Sequence, residues 1–148
     1  MLTREAIAAD IPTMIRLLGH LFAQEAEFMP DEAAQRRGLE MILADPDAGS
    51  LLVAEEAGQV IGMVSLLYTV STALGARVAL LEDMAVAPEA RNGGFGSVLL
   101  DAAIARARAD GCRRITLLTD GANTEAQRFY ERAGFSASEM LPMRLMLD

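Results

Sequence analysis

Apolar and polar positions recur along this chain with two different periods, and the switches between them predict its elements. Leu2-Thr3-Arg4-Glu5 reads as a short first strand. Asp10 is placed to cap a helix with Pro12 in its first turn, and Ile11, Met14, Ile15, Leu18, Leu21 and Phe22 follow at helical spacing. The pattern lapses from Ala23 to Pro30, where Glu25, Glu27, Phe28 and Met29 cluster. That connection is either a lip over a substrate cleft or an ordinary surface loop. A second helix is expected from Asp31 to Ala44, apolar at Leu39, Ile42 and Leu43 and stopped by Asp45-Pro46-Asp47. Three strands come next, over 50–55, 60–70 and 77–86, joined by short turns at 56–59 and 71–76. Antiparallel pairing is the economical arrangement for them, with Gly62 a candidate bulge or close-approach point.

Pro88 closes the third strand, and Arg91-Asn92-Gly93-Gly94-Phe95-Gly96-Ser97 leads directly into a helix reaching Ala109. Val98, Leu99, Ala102, Ala103 and Ala107 give that helix an apolar face, and Gly111 ends it. Arg114–Thr119 is a further strand, and strand, helix, strand in this order implies a right-handed crossover to a parallel neighbour. Asn123 can cap a last helix carrying Ala126, Phe129, Tyr130 and Ala133. Short strands are expected at Phe135 and over Pro142–Leu147. With no repeats and no low-complexity linker, residues 1–148 read as a single α/β domain with a mixed sheet and about four helices.

Composition narrows the chemistry. A net charge of −8 argues against nucleic acid as the main partner. One cysteine, Cys112, excludes an internal disulfide and a cysteine-cluster metal site, and one histidine, His20, speaks against a histidine-based metal site or a Ser-His-Asp triad. No metal is therefore expected. No apolar run approaches the roughly 18 residues of a membrane span, and the N-terminus lacks a hydrophobic signal segment, so the expectation is a soluble cytoplasmic protein without membrane partners. The excess carboxylates either serve a cationic second substrate or keep the surface soluble.

The glycine-rich turn between strand and helix is the richest stretch. Glycines let successive N–H groups converge, and the first helical turn adds its own unpaired N–H groups and positive dipole end. That is an anion site, most naturally for a phosphate. The alternative is a turn needed only for tight packing. A Walker loop requires a lysine, and the chain contains none. A dinucleotide fingerprint would place a small residue where Leu99 stands.

What remains, Arg91-x-x-Gly94-x-Gly96, resembles the coenzyme A pyrophosphate loop of the GNAT superfamily of N-acetyltransferases. Asn123-x-x-Ala126-x-x-Phe129-Tyr130-x-x-x-Gly134-Phe135 is similar to that family's C-terminal motif, at the distance a crossover helix and strand require. The Asn92-Gly93 pair departs from the commoner glycine directly after the arginine, and both residues tolerate left-handed backbone.

The resemblance implies a mostly antiparallel sheet with a parallel, splayed pair at a cofactor wedge. It implies acetyl-CoA as cosubstrate, with Met84 and Val86 on the strand edge that bonds the pantetheine arm. Arg91, Asn92, Gly93, Gly94, Gly96 and Ser97 would hold the pyrophosphate, Asn123 would contact the pantetheine or phosphate side, and Tyr130 would be the general acid for the departing thiolate. Read from the residues, Tyr130 is otherwise a core aromatic beside Phe129. Glu82 alternates with Met84 and Val86 and is expected on their face unless a bulge intervenes, as base or ammonium counter-ion, with Asp83 facing the other way.

The function implied is direct transfer of an acetyl group to a primary amine of a small molecule or peptide, with a homodimer as a family-level expectation. The alternative is a coenzyme A-binding sensor or interaction module without turnover.

Overall fold

The computed structural model describes residues 1–22 and 31–148. The connection with Glu25 and Glu27 lies outside the described residues. The described chain divides into two compact units, Met1–Leu118 and Thr119–Asp148.

In the first unit the two sequence periods become layers. Strands β1 (Leu2–Glu5), β2 (Gly49–Glu56), β3 (Gln59–Ser71), β4 (Ala76–Val86) and β5 (Ile115–Leu117) form one sheet in that order. All neighbours are antiparallel except β4 and β5, which run parallel as the crossover requires. Helix α1 (Ile11–Phe22) buries Ile11, Met14, Ile15, Leu17 and Leu18, and α2 (Glu32–Ala44) adds Leu39. Together they cover Leu51, Val53, Met63 and Ala85 on one face of the sheet. Asp31 caps α2 by accepting from the Ala34 N–H at 3.1 Å.

Helix α3 (Phe95–Ala109) covers the opposite face, burying Leu99, Leu100, Ala103 and Ala107. A Cβ on Gly62 would stand 2.7 Å from the Leu99 Cδ1, so the predicted close approach is real and α3 lies directly over β3 there. The far end of α3 is tied down by side chains. Tyr68 of β3 donates to the Asp110 carboxylate, Arg106 donates to the same carboxylate at 2.9 Å, and Arg106 also reaches Glu5 at 3.3 Å. Arg77 stacks 4.9 Å from the Tyr68 ring centroid. This anchorage fixes the helix whose N-terminus meets the glycine-rich turn.

Asp10 behaves differently from the sequence expectation. It ends a 3-10 turn (Ala8–Asp10) that runs straight into α1, and its carboxylate accepts from the Ile7 N–H at 2.9 Å. Arg4 of β1 donates to both its oxygens, at 2.8 and 3.0 Å, so the arginine claims the side chain that a helix cap would have used. These Arg4 hydrogen bonds hold the Asp10 carboxyl below the usual carboxylate range. A depressed folded-state pKa contributes stability that is present above the unfolded value, near ~3.9, and lost as pH falls through the folded one. Asp10→Asn is therefore expected to cost about 1–2 kcal/mol at pH 7. In urea titrations the gap to wild type should hold above the unfolded carboxylate value, near ~3.9, and narrow progressively as pH falls through the depressed folded-state one. A gap that stays constant with pH would mean the charge is not its source.

The second unit contains α4 (Thr124–Arg132), with Gly134 at φ 107° just beyond its end. Here two expected strands are corrected. Phe135 gives its N–H to the Tyr130 carbonyl at 3.1 Å and so completes the helix end instead of starting a ladder. The segment 136–148 carries no regular structure, and Leu141, Met143, Leu145 and Leu147 are exposed. An apolar run can suit a strand, but a strand exists only where a neighbour accepts its backbone hydrogen bonds.

Candidate functional site

The site grows from β4. Its ladder with β3 pairs Leu66 with Leu81 and Val64 with Met84, so three residues of β4 span two of β3. One extra residue is therefore inserted, and Glu82 and Asp83 together oppose Ser65. The bulge changes side-chain parity. Val64 and Leu66 share the face under α3, so Leu81 and Met84 share it too, and Glu82 between them turns to the α1–α2 face. The expectation that Glu82 faces with Met84 and Val86 is thus corrected, by the very irregularity it was conditioned on. Glu82 is exposed, and Ala85 and Ala87, on its side of the strand, are buried in the α1–α2 core.

Pairing of β4 with β5 ends at Leu81↔Leu117, while β4 continues to Val86 against β3. The parallel ladder therefore stops where the bulge begins, and Met84 and Val86 lie beyond it.

After Val86 the chain makes a short 3-10 turn (Pro88–Ala90) and enters the glycine-rich loop. Asn92 (φ 68°) and Gly94 (φ 81°) are both left-handed, as their residue types permit. A Cβ on Gly93 would press into the Phe95 ring at 2.6 Å. Gly94 is the N-cap of α3 and offers no side chain to its first turn. The amides of Phe95, Gly96 and Ser97 have no partner within the helix by construction, and residues 91–94 and Ser97 are exposed. Among the described residues no hydrogen bond or ion pair engages the Arg91 guanidinium. Helix-start amides without an intrahelical partner, a positive helix end and an arginine within seven residues are the features that suit an anion.

Asn123 and Tyr130 belong to the second unit. Asn123 caps α4, its Oδ1 accepting from the Ala126 N–H at 3.0 Å, so the amide nitrogen is the part left for a ligand. Tyr130 stacks edge-on against Phe129 (5.1 Å) and Phe135 (5.7 Å), and burial pushes its phenol above the ordinary tyrosine value. A phenol raised in this way is a proton donor at neutral pH.

The structure thus sets Glu82, Met84, Val86 and the loop 91–97 along one continuous stretch from bulge to helix, and places Asn123 at the N-cap of α4 with Tyr130 on its second turn. Sequence reasoning missed Ser65, which is 1% exposed in the middle of β3 and accepts the Asp83 N–H at 3.0 Å. Its signal was a lone hydroxyl inside the apolar run of β3. Cys112 is half-buried with its thiol pushed up by that burial, and His20 is exposed on α1. Burial disfavours the reactive thiolate form of Cys112. Among the described residues no cluster of three or more metal-ligating side chains occurs, and no helix is long and apolar enough to cross a membrane.

Residues 15–135 match the acetyltransferase (GNAT) family, and the chain belongs to it. It is similar to the uncharacterized N-acetyltransferase YhfO of Bacillus subtilis strain 168, 36% identical over 118 residues that cover 78% of each chain. It is also similar to the aminoalkylphosphonate N-acetyltransferase of Salmonella typhimurium LT2, 29% identical over 91% of this chain and 84% of that one. A crystal structure of a transcriptional regulator from Bacillus halodurans C-125 matches with a TM-score of 0.83 at 32% identity, covering 97% of this chain and 99% of that one. Aminoglycoside N-acetyltransferase AAC(6′)-Iy in complex with CoA matches with a TM-score of 0.81. Its 21% identity, over 98% of this chain and 93% of that one, makes this a likeness of fold.

Proposed function

We propose that the protein transfers the acetyl group of acetyl-CoA directly to a primary amine of a small molecule or peptide. One observation carries the reading: the β4–β5 pairing stops at a bulge in β4, and β4 then leads into a glycine-rich loop whose helix-start amides and arginine suit an anion. The fit to coenzyme A is chemical. Left-handed Asn92 and Gly94 and the uncapped first turn of α3 offer N–H donors to a diphosphate, and Arg91 adds a cation. The strand edge at Met84 and Val86 suits the amides of a pantetheine arm, and one of its N–H groups suits a developing oxyanion.

In this reading the amine nitrogen attacks the thioester carbon and the carbon–sulfur bond breaks. Glu82 accepts the ammonium proton, directly or through water, or holds the ammonium as counter-ion. Tyr130 gives its proton to the leaving thiolate. Asn123 uses its amide nitrogen on the pantetheine or phosphate side.

A second reading, an acyl-CoA sensor without turnover, draws on the Bacillus halodurans relative described as a transcriptional regulator. Thiol release from acetyl-CoA across a panel of amines separates the two. Aminoalkylphosphonates enter the panel on the strength of the Salmonella relative, and di- and polyamines test whether the protein's net negative charge favours a cationic acceptor. Amine-dependent thiol release is the expected result. Calorimetric acetyl-CoA binding with no acylated amine would favour the sensor, and no binding at all would remove both readings.

A further inference from the structure

We propose that Ser65 is a positioning residue, whose hydroxyl pins the bulge at Glu82–Asp83 and thereby sets the face on which Glu82 stands. Where two residues oppose one, the ladder leaves an amide without its regular carbonyl acceptor. A buried amide left unpaired is costly, so something must accept it. Here the acceptor is a side chain: the Asp83 N–H donates to the Ser65 Oγ at 3.0 Å. The same hydroxyl lies 3.5 Å from the Asp83 Oδ2, a long contact that orients it toward the bulge. Ser65 is 1% exposed, so its hydroxyl meets the bulge and not bulk solvent. Its neighbours in sequence, Val64 and Leu66, are fully buried and apolar. A hydroxyl in that position is accounted for by the bulge it satisfies.

The consequence follows from parity. With the bulge in place, Leu81 and Met84 share the α3 face and Glu82 turns toward α1 and α2. Without it, β4 returns to regular pairing, and a shift of one residue turns every side chain on one side of the slip to the opposite face. Either Glu82 or the Met84–Val86 edge then leaves its place. The catalytic half of this inference rests on the proposed acetyl transfer, whereas the structural half does not.

The test pairs hydrogen exchange with kinetics on the full chain. In Ser65→Ala the Asp83 amide should exchange at least ~10-fold faster relative to the amides of Ala79–Leu81 than it does in wild type. The kcat for amine acetylation should fall by roughly 10–100-fold, because displacement of about 1 Å at a reacting group has effects of that order. Ser65→Thr keeps the hydroxyl and should restore both Asp83 protection and kcat. Ser65→Cys, which keeps the volume with a poorer acceptor, replaces the alanine variant if that one does not fold. Unchanged Asp83 exchange on loss of the hydroxyl would overturn the pin. Equal loss of kcat in the alanine and threonine variants, both folded, would overturn its positioning role. If wild type acetylates nothing, the functional reading fails by itself and the exchange data still decide the pin.

Discussion

Tyr130→Phe is expected to lower kcat for amine acetylation by about 10²–10⁴-fold, the range associated with losing a positioned proton donor. Coenzyme A affinity should stay within about threefold, because the lost interaction acts on the leaving thiolate and not on the bound ground state. The ring makes its edge-on contacts with Phe129 and Phe135 whether or not it carries a hydroxyl, so the variant should remain folded. The pH profile gives an independent check. A general acid works in its protonated form, and burial raises the Tyr130 phenol, so any alkaline loss of wild-type kcat attributable to it should lie above the ordinary tyrosine value near ~10. That limb should vanish in the phenylalanine variant. A kcat within about threefold of wild type would return Tyr130 to the role of a packed aromatic.

The loop and its helix were legible in the sequence because their chemistry is local. Gly94 and Asn92 announce left-handed backbone by residue type alone, and the α3 stripe through Leu99, Ala103 and Ala107 announces the helix. The hairpin was legible through Gly58 (φ 79°), whereas the positive φ of Ala57 (51°) is not announced by its residue type. Gly62 was flagged and proved to be the point where α3 rests on β3.

The facing of Glu82 was not legible, because a bulge belongs to a pair of strands. Nothing within β4 says that Ser65 of β3 will take up an amide and displace the alternation by one. Asp10 shows the same limit. Its residue type and place before Pro12 read as a helix cap, but an arginine in β1 was the stronger claimant. The strand expected over Pro142–Leu147 was read from that segment alone, whereas a strand is a pairing of two. Local rules thus located the glycine-rich loop and its helix, while the facing of Glu82 depended on cross-strand contacts that spacing does not encode.

Gly94→Asp is expected to weaken coenzyme A binding by at least ~100-fold while leaving the protein folded. Gly94 caps α3 with φ 81°, and nothing lies within 4 Å of the Cβ it would gain, so a new side chain points into open space at the N-terminus of α3. Left-handed backbone carries a penalty of roughly 1–2 kcal/mol for most residues, and aspartate and asparagine bear it most easily. A carboxylate beside the first-turn amides also recovers part of that cost by meeting the helix dipole. The same carboxylate repels the diphosphate: two unit charges about 4 Å apart interact by roughly 4 kcal/mol at an effective dielectric of 20, before salt screening reduces it. Gly94→Asn is the matched control, equal in shape and backbone tolerance but without the charge. It should lose no more than about tenfold in affinity, which corresponds to ~1.4 kcal/mol. Calorimetry on the three proteins separates charge from strain, and added salt should narrow the gap between the aspartate and asparagine variants. If both substitutions weaken binding equally, the loop is read by its shape. If neither does, the diphosphate is held somewhere other than the N-terminus of α3.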